Sequence, residues 1–459
     1  MKEGGIAMKM KGVFVGVALS ALTLQAATVD RMLVRQEWPW NEKVDIDFAL
    51  SGVAAKTEID CAVYRGGTRL DLPLAAFSGD VCNLSKDGIY RIVFDPSFLP
   101  ERPAAGKEAL RFVLTPGTAT ESSRWNEVIY KIFDLDAKTV TDVTRADLLL
   151  SGRYEGVATD YGEIGEGYST ALDKDDVIIW TGVTNNVEYK TSKIVFRKIP
   201  EGKFCAYNSW SSRVTVPNVD MSEYWISVFE MTKAQFAKLN YSNSSYYAPT
   251  FTEDQTTPVE TIMISRALFN YGGTTDHRKV AGASIATLRA KFNGEYEFTL
   301  PTQAQWQKAY RAGTSTYYYD GVEGQPNTTS NERMDVLGRY KSNGGMVDNG
   351  DGTVTTNGVV SVGRYRPNAY GLYDMLGNVM ECCLDRNWSI PATAEGEKDP
   401  INLDGIALSH WAQRGGSWAD NAAAAPFPVT SRQFSAATGK YIDAGFRLSF
   451  WTVPHYSEY

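Results

Sequence analysis

Short runs in which apolar and polar residues alternate dominate the first third of the chain. Val44–Phe48 (VDIDF) and Ile59–Tyr64 (IDCAVY) repeat with a period of two, which predicts strands with one buried face. Gly66-Gly67 follows the second run directly and predicts a hairpin onto Arg69–Leu72. Ile89–Phe94 (IYRIVF), Ala109–Leu114 (ALRFVL) and Val128–Phe133 (VIYKIF) continue the set. About six strands at this spacing over residues 28–140 predict an all-β, sandwich-like antiparallel domain, a scaffold or adhesion module with no catalytic set. Between 141 and 190 the pattern loosens. Leu148–Leu150 is briefly apolar, Gly152–Gly167 is rich in Gly and Tyr as an ordered loop would be, and Val177–Trp180 and Val187–Tyr189 predict short strands in a connecting segment.

From Lys193 the pattern changes again. An apolar run over Ile194–Ile199 ends at Pro200-Glu201-Gly202, a turn into a second strand. Trp225–Met231 (WISVFEM) leads into Thr232, a good N-cap for a helix that turns Phe236 and Leu239 inward. Thr302 caps a second helix over Gln303–Ala312, whose Trp306, Ala309 and Tyr310 recur at helical spacing and are assigned to the core. Strands, short helices and long ordered loops together predict an α+β domain over residues 191–455.

Composition sharpens this picture. The 459 residues include 40 Gly, 25 Tyr and 11 Trp, a mixture that favours strands and turns. The formal charge of −8, without a basic stripe, excludes a nucleic-acid binder that tracks phosphates. At the N-terminus Lys9 and Lys11 precede the apolar run Gly12–Leu24, and Gln25-Ala26-Ala27 supplies small residues for cleavage. Residues 1–27 therefore predict a secretory signal, its apolar core too short to span a bilayer. The expected product is secreted, periplasmic or displayed at the cell surface, and is not an integral membrane protein after cleavage. Export permits disulfides. Among Cys61, Cys82, Cys205, Cys382 and Cys383, the first two lie in one region and Cys205 has two candidate partners; the alternative is that most are buried free thiols.

Seven motifs occur in a fixed order: KIVFRKIPEGKF, YWISVFEMTKAQFAKL, PVETI, FTLPTQAQWQKAYRAGT, NAYGLYDMLGNVMECCLDRNW, QRGGSW and AGFRLSF. Together they resemble the formylglycine-generating enzyme, or sulfatase-modifying factor, family over about residues 193–453. The resemblance implies a fold related to C-type lectins, with structural calcium. It also implies where copper-binding cysteines would stand, five residues apart after the GGS turn, and those positions hold Asp420 and Ala425. Cu(I) selects soft thiolates, so copper oxidation is not expected here. Ser417 alone keeps the family's active-site identity. An iron site of the related sulfoxide synthases is not expected either, because His277, His410 and His455 have no ligand spacing. GGSW is not the GxSxG elbow of a serine hydrolase.

Calcium is the better-supported chemistry. A hard cation takes oxygens from carboxylates and backbone carbonyls. Asp374 and Glu381 match the family's side-chain ligands, and Gly377 and Val379 match positions that give carbonyls. A second family site falls within Lys341–Gly358, where Asn343, Asp348, Asn349 and Asp351 are available. Gln303 and Gln305 replace two glutamates of the family pattern, and the tryptophan usual after Pro-Val is missing, which marks a divergent member. The expectation is a calcium-stabilised pseudoenzyme at the cell surface that binds a protein, peptide or glycan through Trp418, Asp420, Asn421 and Arg432, with Phe427, Phe434 and Tyr441 as further candidates. The alternative is an oxidase that converts a sulfatase cysteine to formylglycine, or another reaction in the same groove.

Overall fold

The computed structural model describes residues 26–36, 41–100, 109–120, 122–158, 173–207, 215–239, 254–264, 268, 283–322, 332–343, 346–351, 353–356, 358–385, 390, 394–402, 410–420, 433–435 and 441–451. Two compact units divide the chain. Residues 1–70, 79–96 and 103–120 form the first, and 71–78, 97–102 and 121–459 the second.

In the first unit Val44–Ser51 pairs antiparallel with Thr28–Gln36 on one side and Gly88–Phe94 on the other. Thr57–Arg65 is flanked in a second sheet by Thr68–Arg69 and Leu110–Thr118. The hairpin at Gly66-Gly67 takes φ of 52° and 92°, a region that glycine enters without steric cost. Alternation sets the faces. Ile46, Phe48, Ile92 and Phe94 are buried, while Asp47 and Arg91 pair on the opposite face at 2.6 Å. Phe94 and Phe112, one from each sheet, meet edge to face at 5.4 Å.

The strand Val128–Asp134 does not complete this set. It pairs with Lys193–Ile199 in a five-stranded antiparallel sheet of the second unit, in the order Ser449–Trp451, Tyr224–Ser227, Lys193–Ile199, Val128–Asp134, Thr139–Thr144. The reason is in its own sequence. Ile129, Tyr130, Ile132 and Phe133 are all buried, so both faces need cover. The Phe133 ring makes edge-to-face contacts with Phe196, Phe292, Tyr296, Phe298 and Phe450 at 4.8 to 5.6 Å. The segment expected to connect two domains is likewise part of this core. Val143, Leu148, Val177, Ile178, Trp180 and Val183 are buried in it, and Tyr130 meets Trp180 edge to face at 5.4 Å.

The helices are few and capped as expected. Thr232 and Gln235 form a capping box on Lys233–Ala237, and Thr302 and Gln305 form one on Gln303–Arg311. Every residue of the second helix is buried, including Gln303 and Gln305. The Gln303 side-chain oxygen accepts from Arg414, and its backbone N donates to Asp385 Oδ2 at 2.7 Å. A second sheet carries the remaining motifs in the order Gln433–Ser435, His410–Arg414, Met380–Cys382, Ala444–Gly445, the last pair parallel. All five cysteines are free thiols, so neither of the considered disulfides forms. Among the described residues no helix is long and apolar enough to cross a membrane.

Candidate functional site

The GLYDMLGNVMECC stretch is a loop that enters the strand Met380–Cys382, and its backbone is unusual. Asp374, Gly377 and Asn378 take φ of 55°, 75° and 57°. Gly377 is required here, since a Cβ would lie 1.9 Å from the Arg339 carbonyl oxygen. Asn378 is wired on three sides: its Oδ1 accepts from Val360 N at 3.0 Å, its Nδ2 donates to Glu230 Oε2 at 2.6 Å, and its carbonyl accepts from Trp418 N at 3.0 Å.

Beneath this loop lie Glu230, Asp374 and Glu381, none more than 1% exposed, together with the buried Arg447. Arg447 grips Glu381 with two bonds, Nε to Oε2 at 2.6 Å and a terminal nitrogen to Oε1 at 2.7 Å, and donates further to the carbonyls of Ser227, Val228 and Tyr373. Trp306 Nε1 adds a bond to Glu381 Oε2 at 2.8 Å. Glu230 accepts from Val379 N at 3.0 Å as well as from Asn378. Asp374 Oδ2 accepts from Gly363 N at 2.6 Å, while its buried Oδ1 has no hydrogen-bond partner among the described residues.

The charges do not balance. Three buried carboxylates face one buried guanidinium and the half-buried Lys190, whose charge also reaches Asp374. Burial, and then the Asp374 and Glu381 charges, hold the Glu230 carboxyl well above the usual carboxylate range. Burial pushes Asp374 up to about 6, against the Gly363 amide and the Arg447 and Lys190 cations. Both carboxyls are therefore shifted towards the protonated form, and among the described residues no three His, Cys, Asp or Glu side chains gather closely enough to make a metal-holding group. Of the residues matched to calcium ligands, Asp374 fits that role through its unpartnered oxygen. Glu381 is already held by Arg447 and Trp306, so only its remaining lone-pair capacity is open to an ion.

Of the second set, Asn343, Asn349 and Asp351 are each engaged in turns of their own, and the side chain of Asp348 lies outside the described residues. Asn343 is committed to its own turn, accepting from Tyr340 N at 2.9 Å and donating to Gly338 O at 2.7 Å. Asn349 and Asp351 are exposed at the tip of the Met346–Asp348/Val354–Thr356 hairpin, where both bond Thr353. These are turn-forming contacts of short polar side chains, which is why a turn-rich sequence mimicked a ligand set.

Ser417 is fully buried. Its hydroxyl lies 3.0 Å from Asp420 Oδ2 and 3.2 Å from Asp443 Oδ2, and its amide donates to the same Asp420 oxygen at 3.0 Å. Asp420 thus folds back and caps the GGS turn from the position matched to a metal-binding thiolate. Trp418, expected on a ligand surface, is 1% exposed: it packs on Val359 and Val379 and donates to Ile442 O at 3.2 Å. Asn421, Ala425, Phe427, Arg432, His277 and His455 lie outside the described residues, as do the side chains of His410 and Phe434. Cys382 and Cys383 are buried below, and burial pushes the first thiol up to about 12 and the second well above its ordinary value.

Sequence reasoning missed Glu230, Asp443 and the central place of Arg447. Glu230 had a signal: a carboxylate inside the apolar run WISVFEM, directly before a helix cap, has to be buried and partnered.

Residues 184–450 match the family described as the sulfatase-modifying factor enzyme 1-like domain, and the chain belongs to this family. A stretch of 82 residues is 35% identical to the formylglycine-generating enzyme of Mycobacterium tuberculosis, covering 18% of this chain and 25% of that protein, so the match spans about a quarter of the relative's length. Among solved structures, the chain is similar to Treponema denticola variable protein 1 (22% identity, 56% of this chain, 95% of that one, TM-score 0.38). It is also similar to PvdO from Pseudomonas aeruginosa (16% identity, 56% and 94%, TM-score 0.40).

Proposed function

We propose that this family member is an exported, non-catalytic binding or structural module on a scaffold of the C-type-lectin kind, stabilised by calcium at Asp374. The observation that carries the non-catalytic reading is the state of the GGS turn. Copper chemistry of the family type needs two thiolates beside Ser417, and a carboxylate hydrogen-bonded back to the turn stands at the first of those positions. The second position is alanine. Cys382 and Cys383 stand outside the two matched positions, and burial disfavours the thiolate form of both. The calcium reading is supported by the excess of buried carboxylates and the unpartnered Asp374 oxygen. The export reading rests on the Lys9–Ala27 pattern.

The test is direct. The purified chain is loaded with Cu(I), incubated in air with a cysteine-containing sulfatase peptide, and the peptide is weighed by mass spectrometry. An unchanged cysteine is expected. Conversion of the thiol to the aldehyde sinks the non-catalytic reading and establishes the oxidase, the activity named for the mycobacterial relative.

A further inference from the structure

A second concavity lies in the same unit, built by the segment that the sequence pattern treats as a connector. Its floor is one face of the five-stranded sheet, where Ile132 sits opposite Thr141 and Asp134 opposite both Thr139 and Lys193. Its wall is aromatic: Tyr154 and Tyr189 stand edge to face on Trp180 at 4.9 and 5.4 Å. Arg153, Glu155 and Asn185 complete the rim. The volume is about 570 Å³, within the range of sites that take small molecules.

The wall is preformed. Gly182 comes so close to the preceding segment that a Cβ would lie 1.8 Å from the Glu155 carbonyl oxygen. Asn186 caps the turn before Tyr189 by accepting from Glu188 N at 2.9 Å. Lys193 is neutralised by Glu188 at 2.6 Å and Asp134 at 3.7 Å, so it offers little to an anion.

The groups left over define the ligand. The Arg153 guanidinium, which lies over the Tyr154 ring, the Glu155 carboxylate and the Thr139 and Thr141 hydroxyls have no side-chain hydrogen-bond partner among the described residues. Among the described residues the Asn185 side chain keeps its NH2 donors, its one side-chain hydrogen bond being a 3.5 Å approach from Thr184 Oγ1 to Oδ1. Guanidinium, carboxylate and amide are planar groups with paired donors or acceptors, suited to adjacent hydroxyls, which both donate and accept. Among the described residues the Arg153 cation and the Glu155 anion at this rim cancel, which disfavours a phosphate or a carboxylate ligand. Tyrosine surfaces beside them suit the C–H faces of a pyranose ring. We infer that this concavity is a binding site for a neutral saccharide, separate from the Ser417 turn.

The experiment uses the full chain without its signal segment, titrated by calorimetry and saturation-transfer NMR with cellohexaose, xylohexaose, mannohexaose and chitohexaose, and with inorganic phosphate as the anionic control. At least one oligosaccharide is expected to bind and phosphate is not. Tyr154→Ala, in the wall, and Asn185→Ala, at the rim, are each expected to weaken that binding about tenfold, the scale on which loss of an anchor at a binding site is felt, with the melting temperature unchanged in Asn185→Ala. Failure of all four oligosaccharides to bind, binding of phosphate in their place, or saccharide binding that neither variant weakens overturns the assignment. None of these outcomes depends on whether the Ser417 turn is catalytic.

Discussion

Replacing Asp374 with asparagine probes the buried charge excess most directly. In calcium-free buffer Asp374 holds its proton in the folded state up to about pH 6, whereas the unfolded chain loses it near 3.8. Between these values the folded protein binds more protons than the unfolded, so stability falls as pH rises. The gap corresponds to roughly 3 kcal/mol of stability missing at pH 7.5. On the proposed calcium reading the ion supplies the missing positive charge, and at a free concentration a hundred times its Kd it would contribute about 2.7 kcal/mol. For a unit of this size that is a rise in Tm of about 5 °C. Asp374→Asn keeps an oxygen for the Gly363 amide but removes the charge. The variant is therefore expected to melt at or above the wild type in EDTA, and to gain less than about 2 °C from calcium. Differential scanning calorimetry at pH 5 and 7.5, with EDTA or 1 mM calcium chloride, measures all four quantities. The wild-type gain should be larger at pH 7.5. Identical wild-type melting with and without calcium at pH 7.5 refutes the cation, and a calcium gain that survives in Asp374→Asn places the ion elsewhere.

Two further predictions concern the scaffold. Glu127 bonds the buried Arg145 at 2.6 Å and pairs with Lys198 at 2.5 Å; these two cations, outweighing its partial burial, lower the carboxyl to about 2. Its contribution is present above about pH 4.5 and lost as pH falls towards 2, so urea titrations of Glu127→Gln should show a stability deficit at pH 6 that narrows by pH 3. Gly377→Ala drives a Cβ into the Arg339 carbonyl at 1.9 Å from a left-handed backbone and should abolish soluble expression, whereas Gly294→Ala, which has a φ of 72° and open space around it, should remain soluble. Equal solubility of the two variants removes steric crowding as the reason for the glycine.

Local signals were read well wherever the deciding interaction was local. The caps at Thr232 and Thr302 need only a hydroxyl and a glutamine three residues on, and both form as capping boxes. The Gly66-Gly67 hairpin depends on φ values that the residues themselves prefer. Strand partnership was less legible. VIYKIF looks like one more sandwich strand until Phe133 is seen among five aromatic rings drawn from residues 196 to 450. Acidic turns were also ambiguous, because Asp351 serves its own hairpin with an oxygen that a metal would use, and Asn349 bonds the same Thr353 through its side-chain NH2.

The amino-acid sequence by itself determined the family order of the motifs, the absence of thiols after the GGS turn and the identity of the residues near Asp374. It did so because these are statements of composition and spacing. Only the tertiary structure decided how charge is distributed beneath the loop. Glu230, Asp374, Glu381 and Arg447 are separated by up to 217 positions in the chain, from 230 to 447, and their protonation follows from being desolvated together. It also decided that Trp418 is interior and that Asp420 closes on Ser417. The Glu381–Arg447 pair and the contacts of Trp418 with Val359 and Val379 join residues far apart in the chain, so packing decides them where no local pattern does.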